Sequence, residues 1–308
     1  MRLTDPALIL LCALAWDLLL GEPPAWLHPV VWMGRWVEAS ERLAPRASPL
    51  VVFAYGTAAV AAGLAVVVLG ALGVDALLPW LPRAAAILLS AWLLKTTFAF
   101  RALIQAARSV QAALAEGNLA EARRRLAWHL VSRDTAALDG GLVAAAAIES
   151  VAENFGDGLV APLLYYALFG LPGALVYRFA NTADAMLGYH DARREYLGKF
   201  AARLDDGLNV VPARLAAGYL LLGAALAGAN AAGGWRVMWR DHGRTASPNA
   251  GWPMSAMAGA LGVRLEKAGY YELGDGANPS AGTIARSLRV LAASAVVFGI
   301  VILAALSR

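Results

Sequence analysis

Three carboxylates, Glu149, Glu153 and Asp157, recur at four-residue intervals in the run Ala147-Ile-Glu-Ser-Val-Ala-Glu-Asn-Phe-Gly-Asp-Gly. On a continuous helix that spacing lines them along one stripe. Like charges on a stripe repel, so the arrangement calls for a cation, and hard oxygen ligands beside an amide such as Asn154 suit Mg²⁺. A solvated helix face would show the same spacing. Position favours chemistry: the stripe abuts residues 158–177, a 20-residue stretch without Asp, Glu, Lys or Arg. Ionisable groups set against membrane-length apolar segments are costly and usually functional.

Other polar clusters follow. Arg178, Asn181 and Asp184, in the run that ends at Tyr189-His190, share one helical face at i, i+3, i+6. Asp184 is a candidate ligand for a metal or an amine, and Arg178 a clamp for phosphate or carboxylate; an ion-paired helix terminus is the plain alternative. Asp205 and Asp206 are adjacent and point to different helix faces, so one is expected to act and the other to cap. Arg240, His242 and Arg244 precede Ser247-Pro-Asn249-Ala-Gly-Trp252-Pro, where turn chemistry beside basic groups could cradle phosphate or simply turn the chain. Near the N-terminus, Asp17, Glu22, His28, Trp26 and Trp32 crowd the end of an apolar run. Tryptophans at that position need only a membrane interface. His28 and His242, each alone, read as hydrogen-bonded loop residues rather than metal ligands. The single cysteine, Cys12, excludes an internal disulfide and a cysteine-based metal site.

The elements that carry these residues are written in the composition. Apolar residues make up 59% of the 308 positions and charged ones only 16%, against about 25% charged in soluble domains; mean hydropathy is +0.57. Four windows, 47–74, 158–177, 215–235 and 290–307, carry no charge, and each is near or above the roughly 18–20 residues a crossing helix needs. Weaker windows at 3–20 and 83–100 carry Asp5, Asp17 and Lys95. Four to six crossings are expected, in one integral-membrane domain covering 1–308. Ala13-Leu-Ala resembles a signal-peptidase site, but Asp5 spoils the positive region such a signal needs. The net charge of +4 belongs to loops and not to nucleic-acid binding.

Residues 101–135 read as an amphipathic helical hairpin broken at Gly117-Asn118. No alternating β pattern, Gly-x-Gly-x-x-Gly or Walker A loop is present, so the fold class is all-α. Two basic stretches, 178–214 and 236–289, flank the window at 215–235, and the positive-inside rule wants both on the cytoplasmic side. Either that window is a re-entrant or hairpin element, or one of the basic stretches is translocated.

Asp17-Leu-Leu-Leu-Gly-Glu-Pro-Pro with His28-Pro-Val and Trp32-Met-Gly, Glu149-Ser-Val-Ala-Glu-Asn with Asp157-Gly-Leu-Val-Ala-Pro, Asn181-Thr-Ala-Asp-Ala-Met-Leu-Gly-Tyr and Ser247-Pro-Asn-Ala-Gly-Trp-Pro stand in that order over about residues 17–265. Together they resemble the membrane-bound adenosylcobinamide-phosphate synthase (cobinamide synthase) family of cobalamin biosynthesis. Glu22 stands where that family commonly has Asp, and Phe155-Gly156 where small polar residues are common.

The resemblance implies a multi-pass inner-membrane ligase with a cytoplasmic active site. It would join a propionate of adenosylcobyric acid to (R)-1-aminopropan-2-ol, or its O-phosphate, through an amide bond. A carboxylate is a poor acyl electrophile, so the reaction calls for activation by MgATP, most simply as an acyl phosphate. In that reading Glu149, Glu153, Asp157 and Asp184 hold Mg²⁺ and orient the amine. Arg178, Arg240 and Arg244 take phosphate or corrin propionates. Asn154, Asn181, Asp205, Asp206, Ser247, Asn249 and His28 complete the binding surface, and Trp32, Tyr189 and Trp252 line a broad cleft for the corrin. Other late cobalamin-assembly membrane enzymes are the partners it suggests.

Two other classes compete. Membrane alcohol phosphotransferases also place an Asp-Gly-x-x-Ala motif at a span end, but here Asp157-Gly-Leu-Val-Ala is followed by Pro162 rather than arginine, and no Asp-x-x-Asp precedes it. A transporter or membrane sensor would suit the apolar bulk, yet would leave the carboxylate stripe without a reaction.

Overall fold

The computed structural model describes residues 5–189, 191 and 193–308, so residues 1–4, which include the first two positions of the 3–20 window, and His190 and Ala192 lie outside it. Its α-helices in chain order are α1 Pro6–Leu19, α2 Pro29–Arg42, α3 Pro49–Leu77, α4 Arg83–Lys95, α5 Phe100–Ala115 and α6 Leu119–His129, then α7 Gly140–Phe155, α8 Ala161–Leu187, α9 Lys199–Leu226, α10 Ala231–Asp241, α11 Gly251–Leu261 and α12 Ala281–Leu306. Five helical stretches are long and apolar enough to cross a membrane: Pro49–Trp80, Arg83–Ala115, Gly140–Leu187, Lys199–Leu226 and Ala281–Leu306. The chain is a polytopic helical membrane protein. It divides into two compact units.

The first unit comprises the chain up to Ala99, Ala161–Leu208 and Ile302–Arg308. Asp5 caps α1 by accepting from the Ala7 and Leu8 amides, and α1 packs along α4. Helix α3 is apolar all round and mostly uncovered by protein, as a lipid-facing span is. It packs on α8, as does α2.

Within α8 the backbone leaves helical geometry at Gly170, with φ 68° and ψ −159°. The chain there bends sharply. A side chain on Gly173 would run into the Tyr165 carbonyl, and the rings of Tyr165 and Tyr177 stack at 5.3 Å although twelve positions separate them. The uncharged window at 158–177 is therefore not one straight crossing. Gly170 supplies the positive φ, and Pro172, with no N–H to donate, begins the next segment. Every residue of this bend is apolar or aromatic, so hydropathy passes over it unseen.

The second unit comprises Phe100–Val160 and Asn209–Val301. Helices α5 and α6 pair across a turn at Gly117 (φ 71°), with Asn118 capping α6 through the Glu121 amide. The alanine-rich start of α7 has high helix propensity. Asp139 caps it at the Leu142 amide, and every residue from Val143 to Ala152 is buried. It ends in a π turn, Gly156–Val160.

The apolar window at 215–235 also divides. Helix α9 stops at Leu226, Gly228 turns the chain with φ 70°, and Asn230 caps α10 by accepting from the Gly233 amide. The all-α expectation missed one small feature, an antiparallel hairpin of β1 Leu265–Lys267 and β2 Tyr271–Leu273 that packs against α7. Three-residue strands are too short to show an alternating pattern.

Candidate functional site

Glu149 is the centre of the most developed site in the second unit. Its side chain is 7% exposed, Arg133 donates to Oε2 at 3.5 Å, and Oε1 is buried without a hydrogen-bond partner. The loop that carries Arg133 is pinned at three points. Ser150 Oγ donates to the Leu130 carbonyl at 2.8 Å, Thr135 Oγ1 to that of Arg123 at 3.1 Å, and Arg123 Nε to that of Leu138 at 2.6 Å.

The β hairpin supplies the other side. Its register pairs Lys267 with Tyr271 and Leu265 with Leu273, so these four project from one face. The two leucines are fully buried. Lys267 and Tyr271 both act electrostatically on Glu149. Burial, and after it the charges of Glu149 and Glu153, hold the Tyr271 hydroxyl well above its ordinary pKa, so it remains a proton donor.

Glu153 lies one turn beyond Glu149. The regular i+4 spacing ends there, because Asp157 sits in the π turn. Asn154 Nδ2 donates to its own helix at the Ser150 carbonyl, 2.9 Å away. Among the described residues no three His, Cys, Asp or Glu side chains are grouped to hold a metal by themselves. Mg²⁺ seldom uses such a cage: it takes one or two carboxylates and completes its shell with water and substrate phosphate. A buried, unpartnered Glu149 oxygen one turn from Glu153 fits that pattern.

The first unit holds a second polar cluster. Arg178 Nη1 donates to Asn181 Oδ1 and Asn181 Nδ2 to Asp205 Oδ1, each at 3.3 Å. Asp184 lies on the same helix, half-buried, with its carboxylate against the backbone at Gly188. Asp205 is buried and Asp206 half-buried, both well inside α9, which begins at Lys199. Neither aspartate is an N-cap, because the helix starts six residues before the first of them. Tyr189 packs under the Arg194 guanidinium at 5.2 Å. Trp32 donates to the Trp26 carbonyl and borders an apolar groove of about 400 Å³ with Met33, Trp36 and Phe179.

His28 is a structural residue. Its Nδ1 accepts from the Val30 amide at 3.3 Å, capping α2, and Nε2 meets Glu22 Oε2 at 3.1 Å. Glu22 Oε1 in turn receives Lys95 Nζ at 2.7 Å, and the same ammonium reaches Asp17 Oδ1 at 3.1 Å and the Phe98 carbonyl at 3.0 Å.

The basic loop of the second unit is occupied by its own acids. Arg240 forks onto Asp241, at 2.8 and 2.6 Å, and onto Asp275. Arg244 reaches Asp241 at 3.2 Å and the Glu272 carbonyl at 3.2 Å. Burial alone would raise the Asp241 carboxyl, but Arg240, the Gly274 amide and Arg244 together hold it below the usual range. Ser247 Oγ accepts from the Asn249 and Ala250 amides, and Asn249 Oδ1 from Arg214. This is a turn fastened at the start of α11. Trp252 is packed as well, with Arg214 4.7 Å and the His242 ring 4.0 Å from its ring centre.

A family model described as CobD/Cbib protein matches residues 10–296. The chain belongs to the CobD/Cbib family. Among its relatives, the cobalamin biosynthesis protein CobD of Dehalococcoides mccartyi is 46% identical over 275 residues, 88% of each chain. The protein of the same name from Chromobacterium violaceum is 45% identical over 302 residues, 93% of this chain and 92% of the relative. The probable cobalamin biosynthesis protein CobD of Methanothermobacter thermautotrophicus is 43% identical over 269 residues, 87% and 86%. No solved structure matches the fold. CobD/Cbib membership gives the chain a role in cobalamin biosynthesis.

In this CobD/Cbib chain, sequence reasoning passed over Lys95, Arg133, Lys267 and Tyr271. Lys95 alone left a trace, as a charge inside an apolar window. The others approach Glu149 only through the pinned loop and the short hairpin.

Proposed function

We propose that the chain joins the propionate of adenosylcobyric acid to (R)-1-aminopropan-2-ol or its O-phosphate through an amide bond, with ATP activating the carboxylate. The observation that carries this reading is the buried, unpartnered oxygen of Glu149 one turn from Glu153, in a chain of the CobD/Cbib family. A propionate oxygen attacks the γ-phosphorus of ATP, the bond to the bridging oxygen breaks and ADP leaves. The amine nitrogen then attacks the acyl carbon, phosphate departs with the carbon–oxygen bond, and the nitrogen loses its proton.

Glu149 and Glu153 would hold Mg²⁺, which supplies charge neutralisation to the transferring phosphoryl group. Tyr271, whose hydroxyl lies 3.9 Å from Met254 Sδ, stays protonated beside Glu149 as a hydrogen-bond donor. Arg133 balances the carboxylate, sparing it the cost of an unpaired buried charge. ATP use puts the site on the cytoplasmic face of the inner membrane.

The test is direct. Detergent-purified protein is incubated with adenosylcobyric acid, aminopropanol phosphate or aminopropanol, and MgATP, and products are resolved by mass spectrometry. The amide product, formed with stoichiometric ADP, is expected; its absence with verified components would reject the proposal.

A further inference from the structure

Two of the three cations that the sequence singles out for phosphate, Arg240 and Arg244, are engaged elsewhere. Arg240 and Arg244 share Asp241 and Asp275, two positive charges against two negative ones, in a tie that joins α10 to the segment after β2. Drawing a phosphate there would mean breaking charge-assisted, partly buried bonds.

Around Glu149 the situation differs. Among the described residues Arg133 has one carboxylate contact, at 3.5 Å, longer than a good charge-assisted bond, and its side chain is 26% exposed. Lys267 has no ion pair among the described residues and lies over the Tyr270 ring at 4.8 Å. The pinned loop carries Arg133 to Glu149, and the strand that carries Lys267 packs against α7, near enough for its ammonium to act on the Glu149 carboxylate. Glu149 and Glu153 against Arg133 and Lys267 make a neutral set. A divalent cation adds two positive charges, and a phosphate monoester, with about two negative charges, restores neutrality.

We propose that Arg133 and Lys267 bind the phosphate oxygens of a metal-bound phosphate ligand beside Glu149 and Glu153, and that Arg240 and Arg244 do not. The inference rests on the reading of Glu149 and Glu153 as metal ligands. Two ligands carry the required chemistry, a nucleoside triphosphate and a phosphorylated amino alcohol, and the probes separate them.

Full-length protein in detergent is titrated with Mn²⁺ by electron paramagnetic resonance. Mn²⁺-loaded protein is then titrated with ATP and, separately, with aminopropanol phosphate by calorimetry. Arg133→Gln and Lys267→Gln are each expected to weaken one of the two phosphate probes by about tenfold or more, the loss of a charge-assisted bond. Mn²⁺ affinity should not fall, because removing a cation beside Glu149 leaves that carboxylate freer to take the metal. Arg133→Lys and Lys267→Arg should recover part of the loss, and Arg240→Gln should leave both probes unchanged. The probe that responds names the ligand. Wild-type affinity of both Gln variants for both probes, while Glu149→Gln loses Mn²⁺, would overturn this proposal alone. Unchanged Mn²⁺ binding in Glu149→Gln would overturn the metal reading beneath it.

Discussion

A lysine ammonium with no exposed surface is tolerated only where its charge is matched. Lys95 meets Asp17, whose side chain is 2% exposed, and Glu22, which is 36% exposed. Burial pushes the Glu22 carboxyl up, but hydrogen bonds from His28 and Lys95 outweigh it and hold the group below its ordinary value. A depressed carboxylate stabilises the fold above its unfolded-state pKa, and the contribution is lost as pH falls through the lower folded value. At neutral pH the network is intact. Lys95→Met should therefore destabilise the chain by about 3–5 kcal/mol, mainly through the stranded Asp17, since Glu22 is partly screened by solvent. Thermal unfolding in detergent measures this, and the double variant Lys95→Met, Asp17→Asn should regain part of the loss. A wild-type midpoint for Lys95→Met would contradict the assignment. The sequence marks Asp17, Glu22 and His28 as a cluster, but their shared cation is some seventy positions away, and no local pattern links them.

At the scale of elements, apolar patterning predicts where helices run better than where they bend. The window at 47–74 falls on α3 from Pro49 on, and that at 290–307 on the end of α12 up to Leu306. The window at 158–177 conceals a bend at Gly170 and Pro172 because no charge marks it, whereas 215–235 holds Asn230 and turns there, one of the two outcomes its flanking charges allowed. The bend in α8 makes a specific demand. At Gly173 the nearest atoms are the Tyr165 carbonyl and the Phe169 Cβ, whereas Gly299 in α12 has open space around it. Gly173→Val should lower the thermal midpoint and the yield of inserted protein well beyond Gly170→Ala, which costs about 1–3 kcal/mol because φ 68°, ψ −159° is a backbone region essentially restricted to glycine. Gly299→Ala should be neutral or slightly stabilising, because alanine is the better helix former. Equal tolerance at positions 173 and 299 would mean that α8 does not bend as described.

For the molecule as a whole, Glu149 and Glu153 stood out in the sequence because carboxylates at four-residue spacing are improbable beside an apolar run, while the third, Asp157, leaves the regular spacing in the π turn. The surroundings of Glu149 were not legible. Arg133, Lys267 and Tyr271 come from separate segments joined only by folding, and the conspicuous arginines of the 240s are matched by Asp241 and Asp275. CobD/Cbib membership supplies the role in cobalamin biosynthesis, and the chemistry proposed at Glu149 fits it. The central claim is that the Glu149 carboxylate does that chemistry. The rate of amide formation by Glu149→Gln, measured by mass spectrometry with saturating MgATP on protein whose insertion and thermal midpoint match wild type, tests it most directly. The account predicts a fall of about 100-fold or more, as for loss of a group that stabilises transition-state charge; a rate within a few-fold of wild type would contradict it.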